Sequence, residues 1–377
     1  MNNIPIIYYH SIAPQKNPAW FKNYLTLELK FFEAHLKYFV NRKYIFLDLA
    51  NYFELRNQNK KENYVVFTLD DGYLDNFIYV YPLLKKYNAK ATIFINPIYV
   101  DKRSVIRKTL EDYWNNNASL NEIDQWGFLS WDEMRLMEKS GVIDIQSHTL
   151  THTKYFTSDE LVSFHYPNRD CLYPIGNLFP EQLPYYIANP EFEKLLPYGY
   201  PFFKQESSVI ARKITISQDF IDEVLNKFKQ YDWSKSYNFD EMMSKVKAVY
   251  DNYKKNNALI TKRESEDEYK DRVKFELSES KRIIEKELDK VVSYCCWPHG
   301  DNNEFNHQTA LEVGYNATSS GKFIESEYNN DRFSRMGLAK VANNLFLTNL
   351  KTEYKIKSFV KKQPYYGIKY LYDLIKV

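Results

Sequence analysis

The chain alternates apolar runs of strand length with stretches that carry an apolar residue every three or four positions. Ile4 to Tyr9 is a short apolar run that predicts a buried strand. Glu28 to Arg42 places Leu29, Phe32, Leu36 and Phe39 on one face of a helix. Tyr64 to Leu69, rich in β-branched and aromatic side chains, predicts a strand that runs into Asp70-Asp71-Gly72, with a helix following to about Tyr87. Ala89 to Ile95 and Val142 to Gln146 predict two more strands. Between them, Ser130 and Glu133 have the spacing of a capping box, opening a helix that should stop at Gly141. A repeated order of strand, loop and helix implies parallel strands, either doubly wound or closed into a barrel.

The alternation stops near Tyr155. From there to Ser265 the sequence is irregular, with helix-like pieces at Phe220 to Tyr231 and Met242 to Lys254. Regular pattern returns with a charged helix from Glu268 to Asp289, a strand from Val291 to Cys296, a helix near Asn303 to Val313 and a strand from Tyr315 to Ser319. The expected organisation is a discontinuous α/β domain of residues 1–155 and 266–348, an inserted lid or subdomain of residues 156–265, and a tail of residues 349–377. The tail mixes seven lysines with Phe359, Tyr365, Tyr366 and Tyr370. It reads either as a terminal helix packed on the domain or as a segment in peripheral contact with an anionic membrane surface.

Composition narrows the function classes. Lys+Arg 51 against Asp+Glu 49 leaves no overall basic field, so no nucleic-acid partner is expected. Only 10 glycines occur among 377 residues, and neither a dinucleotide-binding fingerprint nor a phosphate-loop motif is present. Tyr 33 and Phe 25 make the chain aromatic, which suits stacking on sugar rings. Cys171, Cys295 and Cys296 suggest neither a disulfide framework nor a zinc ribbon. With no basic, apolar leader at Met1 to His10 and no bilayer-length apolar run, the expectation is a soluble protein of the cytoplasm, the tail allowing contact with the inner membrane face.

Three polar segments sit where predicted strands end, the place at which parallel α/β folds gather functional groups. Asp70 and Asp71 are adjacent carboxylates that diverge from an extended backbone, so one can hold a cation while the other handles a proton. In Ser147-His148-Thr149-Leu150-Thr151-His152, two imidazoles four apart can reach one ion. Each pattern alone is commonly an ordinary turn or surface pair. Together Asp71, His148 and His152 make a His-His-carboxylate set suited to a catalytic divalent metal. In Trp297-Pro298-His299-Gly300 a rigid turn can aim a backbone N–H at a reacting oxygen.

These segments resemble the polysaccharide deacetylase, or NodB-homology, family of metal-dependent carbohydrate esterases. Thr68-Leu69-Asp70-Asp71-Gly72 looks like its first motif, Ser147 to His152 like its second, and Trp297-Pro298-His299-Gly300 like the turn of its third. Ile6-Ile7-Tyr8-Tyr9-His10-Ser11 resembles the Tyr-His opening of its poly-N-acetylglucosamine deacetylase branch. The resemblance implies a distorted (β/α) barrel with a long insertion, and hydrolysis of N-acetyl groups on an amino sugar of a polysaccharide, oligosaccharide or glycan precursor. It assigns the metal, zinc first with cobalt, nickel or manganese as substitutes, to Asp71, His148 and His152, and the general base to Asp70. His10 is the implied general acid, His299 the second candidate, and the His299 amide the oxyanion donor. Trp297, Pro298 and Tyr9 are expected to touch substrate. The family's usual late His motif is missing, and Cys296 stands where an Arg normally precedes the third motif. Arg335 is the nearest substitute, though a surface ion pair is the plainer expectation for it. These departures leave two alternatives open, a carbohydrate-binding relative with impaired catalysis and a hydrolase of O-acetyl or cyclic amide bonds. The oligomeric state is not legible.

Overall fold

A computed structural model describes residues 4–58, 62–321, 331–338, 343–361, 364–365 and 367. Among them, nine strands form one sheet. Its path runs Arg332–Phe333, Ala317–Ser319, Tyr294–Cys295, Ile143–Ser147, Ala91–Ile95, Tyr64–Asp70, Ile6–Tyr9, Met336–Gly337, with Ile45–Leu47 also pairing on Tyr64–Asp70. Every pairing in it is parallel. Parallel strands need crossover connections, and the helices that supply them cover the sheet. The two end strands of the path are separated only by Ser334 and Arg335. Among the described residues the curl is therefore closed by the chain itself and not by strand pairing, which makes the fold a distorted (β/α) barrel.

Strand alternation sorts the residues onto two faces. Ile6, Val66, Phe94, Cys296, Ala317 and Phe333 fill one buried cluster, the barrel interior. Ile7, Tyr9, Phe67, Leu69, Ile93 and Ile145 point outward, beneath Phe32, Leu36 and Phe39 of the Leu29–Asn41 helix and Val273 and Leu277 of the Glu266–Leu288 helix. Phe32, Phe39 and Phe67 are each 0% exposed, and full burial of such a side chain contributes roughly 1.5–3 kcal/mol. The Ser130–Glu133 capping box is present, opening a helix over Trp131–Lys139.

The segment after the second motif is more ordered than its sequence suggests. Lys154–Phe164 is a long strand pairing antiparallel with Pro201–Ser207. Helices Gln218–Phe228 and Phe239–Asn256 pack on this hairpin around Phe164, Phe203, Phe220 and Phe228, a core of their own. Residues between the two strands of the hairpin pack elsewhere. Leu172, Tyr173, Ile175 and Leu183 share a cluster with Trp20, Tyr73, Tyr99 and Phe128 of the barrel loops. The expected boundary at 155/156 thus falls inside a strand, and the one at 348/349 falls inside the Leu345–Phe359 helix. That helix is tied to the barrel by Arg42 and Glu353, 3.0 Å apart, and most of the tail beyond it lies outside the described residues. Among the described residues no helix is long and apolar enough to cross a membrane.

Candidate active site

The strand ends Tyr9, Asp70, Ile95, Ser147 and Cys295 all lie at one end of the barrel, because the strands are parallel. Their following loops therefore converge. Asp71 and Gly72 leave the Tyr64–Asp70 strand with positive φ angles of 74° and 71°. Gly72 is required there, since a Cβ would stand 2.9 Å from Cγ2 of Ile95. Thr149, His152 and His299 also have positive φ. Four of the ten described non-glycine residues with positive φ thus belong to the three predicted motifs, so backbone strain is concentrated where their side chains meet.

Asp71 Oδ1 lies 3.4 Å from His148 Nε2 and 3.2 Å from His152 Nε2. The other nitrogen of His148, Nδ1, is 2.8 Å from the Cys296 carbonyl and donates to it, which leaves Nε2 as the acceptor facing Asp71. Asp71 Oδ1 is buried without a hydrogen-bond partner. An orphaned carboxylate oxygen flanked by two imidazole nitrogens is the donor chemistry of a divalent cation site, and the group fits one with an open position. The loop is fixed from below by Glu276 of the Glu266–Leu288 helix, which accepts from Thr151 N at 3.1 Å and Thr151 Oγ1 at 2.5 Å. Asn96 donates to the His148 and Thr149 carbonyls.

Asp70 points into the barrel mouth beside this set. Arg335 grips it with two bonds, Nη1 to Oδ1 at 2.6 Å and Nη2 to Oδ2 at 2.8 Å. Arg335 also donates to Thr68 Oγ1 at 3.2 Å. Its side chain is only 12% exposed, which replaces the expected surface ion pair with a buried fork. Burial alone would raise the Asp70 pKa; the Arg335 guanidinium and the His148 and His10 imidazoles more than offset it, so the carboxyl sits below its ordinary value. Cys296 lies in the interior, its Sγ 4.0 Å from Asp70 Oδ1, and supplies no cation in the place where an Arg was expected. The charge instead arrives from the segment that closes the barrel. Sequence distance, 265 residues between Asp70 and Arg335, hid this pair.

His10 Nε2 is 3.8 Å from Asp70 Oδ2. Its backbone carbonyl accepts from Asn76 Nδ2 at 3.0 Å, which anchors the turn that carries the ring. Tyr8, on the same face of the strand, packs edge-on against His10 and beneath the Arg335 guanidinium. Tyr9 points the other way. It is 4% exposed and bonded to His35 Nδ1 at 3.1 Å, so the expected substrate contact is a core residue. Pleat alternation could have found this, because Tyr8 and His10 share parity and Tyr9 does not. Trp297 is likewise 1% exposed in the outer core and Pro298 is buried, so neither offers a surface to substrate. His299 does reach the centre, its ring edge-on to His152 with centroids 4.4 Å apart. Burial, with His152, Lys154 and Lys22 nearby, pushes the His299 imidazole far below its usual pKa and keeps it neutral.

A (β/α) barrel with a buried carboxylate–imidazole set and a forked Asp–Arg pair at its strand C-termini defines the class of barrels with a candidate metal site at the mouth. Sequence comparison narrows the class. Residues 57–233 match the polysaccharide deacetylase family profile, a span that contains the first two motifs and not the third. YxkH of Bacillus subtilis strain 168, assigned to the polysaccharide deacetylases, is 34% identical over 151 residues, 40% of this chain and 43% of that protein. The chain thus matches less than half the length of that relative. The de-N-acetylase of Aggregatibacter actinomycetemcomitans superposes with a TM-score of 0.51 at 18% identity, over 88% of this chain and 94% of that one, and so shares the fold. The BpsB deacetylase domain of Bordetella bronchiseptica gives a TM-score of 0.49 at 15% identity, over 89% and 95% of the two chains. Over residues 57–233 the chain is thus similar to the polysaccharide deacetylase family.

Proposed function

We propose that this chain is a divalent-metal-dependent hydrolase that removes the N-acetyl group from an amino sugar within a polysaccharide, oligosaccharide or glycan precursor. The observation that carries the reading is the division of labour between adjacent carboxylates. Asp71 faces His148 and His152, whereas Asp70, one residue earlier, is held by Arg335 and faces His10. A divalent cation, zinc by the chemistry of the two imidazoles and one carboxylate, would polarise the acetyl carbonyl and lower the pKa of water from 15.7 toward about 7. Asp70, ionised at neutral pH, accepts the proton of the attacking water. Arg335 fixes both carboxylate oxygens, so the base is aimed before substrate arrives. His10 donates a proton to the departing amine, its Nε2 standing 3.8 Å from the Asp70 oxygen that Arg335 Nη2 holds. The His299 amide, at the turn beside His152, supplies an N–H to the carbonyl oxygen as negative charge develops there. The names of the relatives, a de-N-acetylase among them, support the N-acetyl bond over an O-acetyl or cyclic amide bond.

The test is acetate release from N-acetylglucosamine oligosaccharides by protein loaded with zinc or cobalt, compared with chelator-treated protein. Metal at one equivalent, activity lost with the chelator and restored by zinc, and loss of turnover in Asp70→Asn with the metal retained are expected. Full activity in Asp70→Asn or in metal-free protein would overturn the mechanism.

A further inference from the structure

Strand parity turns Tyr8, and not Tyr9, toward the mouth of the barrel. Tyr8 is 37% exposed, whereas Tyr9 is 4% and Asp70 3% exposed. The Tyr8 ring meets the His10 ring edge-on with centroids 5.9 Å apart, and the His10 side chain is itself 24% exposed. The two rings form an open shoulder beside the buried carboxylates. Strand pairing sets Tyr8 opposite Gly337, and a Cβ on Gly337 would stand 3.2 Å from Tyr8 Cζ and Oη, so the tip of the phenol rests on bare backbone. The Arg335 guanidinium lies over the ring, 5.2 Å from its centre. The strand and Gly337 thus set where the ring stands, and part of its surface is left open to solvent.

The reaction geometry says what that open surface meets. His10 gives its proton to the departing amine, and in an N-acetylated sugar that nitrogen is bonded directly to the sugar ring. The sugar ring therefore lies against the surface around His10, and Tyr8 is the exposed aromatic that touches His10. A pyranose presents a face of C–H groups, and a phenol presents a flat apolar face to receive it. An aromatic side chain already held in place loses little conformational freedom when a ligand settles on it, so the contact is nearly all gain.

We propose that Tyr8 is a specificity-determining residue, the platform on which the sugar ring that bears the acetamide stacks through its C–H face. This rests on the deacetylase reading and adds to it a substrate class, an acetamide carried on a closed pyranose ring in preference to one on an open chain.

A matched pair of probes tests it on the zinc-loaded protein: the methyl glycoside of N-acetylglucosamine, and N-acetylglucosaminitol, its open-chain counterpart with the same acetamide. The wild type should favour the closed ring by about three- to tenfold in kcat/KM, the scale of one aromatic stacking contact. Tyr8→Leu and Tyr8→Gln should abolish the preference, with the loss on the closed ring falling on KM and the pH profile of kcat keeping its shape. Tyr8→Phe and Tyr8→Trp, which retain a flat ring, should keep it. No preference in the wild type, or one that survives both Tyr8→Leu and Tyr8→Gln, would overturn the platform. So would an equal fall in kcat on both probes with a shifted pH profile, which would assign Tyr8 to holding His10 and Arg335. Equilibrium binding of the same pair to the Asp70→Asn protein, with and without Tyr8→Leu, is scored apart from acetate release. Release from both probes alike keeps the hydrolase and rejects the platform. Ring-selective binding that Tyr8→Leu removes, without release by the wild type, does the reverse.

Discussion

Arg335 illustrates how a single side chain can carry information that sequence spacing conceals. A guanidinium fork on both oxygens of Asp70 replaces bulk water around a carboxylate that is 3% exposed. Arg335→Ala leaves that buried charge unpaired, a loss on the order of 3–5 kcal/mol, and lets the base swing. We expect a lower melting temperature and a fall in kcat of at least tenfold, with substrate KM nearly unchanged. Arg335→Lys should recover much of the stability and little of the kcat, since one ammonium cannot hold two oxygens in a fixed plane. Equal recovery of both by lysine would mean that charge alone matters. The residues whose convergence is legible are those in contiguous motifs, Asp70, Asp71, His148 and His152, because a short loop forces neighbours together whatever the distant packing does. Tyr9 and Trp297 were misread for a different reason. Strand parity, and not motif membership, decides which side chains face the mouth.

At the level of elements, the barrel strands were legible because parallel, doubly covered strands are continuous apolar runs. The Lys154–Phe164 strand was not, since most of its residues are only half-buried and its pairing slips between Phe156 and Leu161 and again before Ser163. Neither an apolar run nor clean alternation survives in its sequence. The Glu266–Leu288 helix is legible as a charged helix, and one of its charges faces inward. Glu276 is 2% exposed and binds the loop between the two histidines through Thr151 N and Oγ1. The helix thus buttresses, through Thr151, the loop in which the next residue, His152, takes a left-handed conformation. Glu276→Ala should weaken zinc binding by about tenfold or more, in the range found for lost support of ligand groups, while far-UV circular dichroism stays unchanged. Competition with a chromophoric chelator measures this, and unaltered affinity would show that the loop holds its shape without the helix.

Across the whole molecule, the site depends on how the ring of strands is tied at its opening, and Asp75 is the knot. It is 4% exposed, accepts from Ser11 Oγ at 2.5 Å and Asn76 Nδ2 at 2.7 Å, and Ser11 in turn reaches Thr26 Oγ1 at 2.9 Å. Asn76 also holds the His10 carbonyl, so one carboxyl links the first strand, the Thr26–Glu28 strand and the segment after the first motif. Burial pushes the Asp75 carboxyl from 3.8 up to about 7, with its hydrogen bonds to Ser11, Ile12 and Asn76 opposing the rise. The consequence for stability has a definite sign. Between the unfolded and folded pKa values the native chain keeps a proton that the unfolded chain has released, so stability falls as pH rises through this window and is flat above it. A shift of this size corresponds to at most about 4 kcal/mol. Asp75→Asn keeps the shape and cannot ionise, so it lacks this slope. Denaturant unfolding at pH 5 and pH 8 should show the wild type losing stability relative to the variant by roughly 2–4 kcal/mol over that interval. Parallel pH profiles for the two proteins would mean that Asp75 is ionised and fully satisfied by Ser11, Ile12 and Asn76, and that the opening of the barrel is tied by a charge and not by a neutral carboxyl.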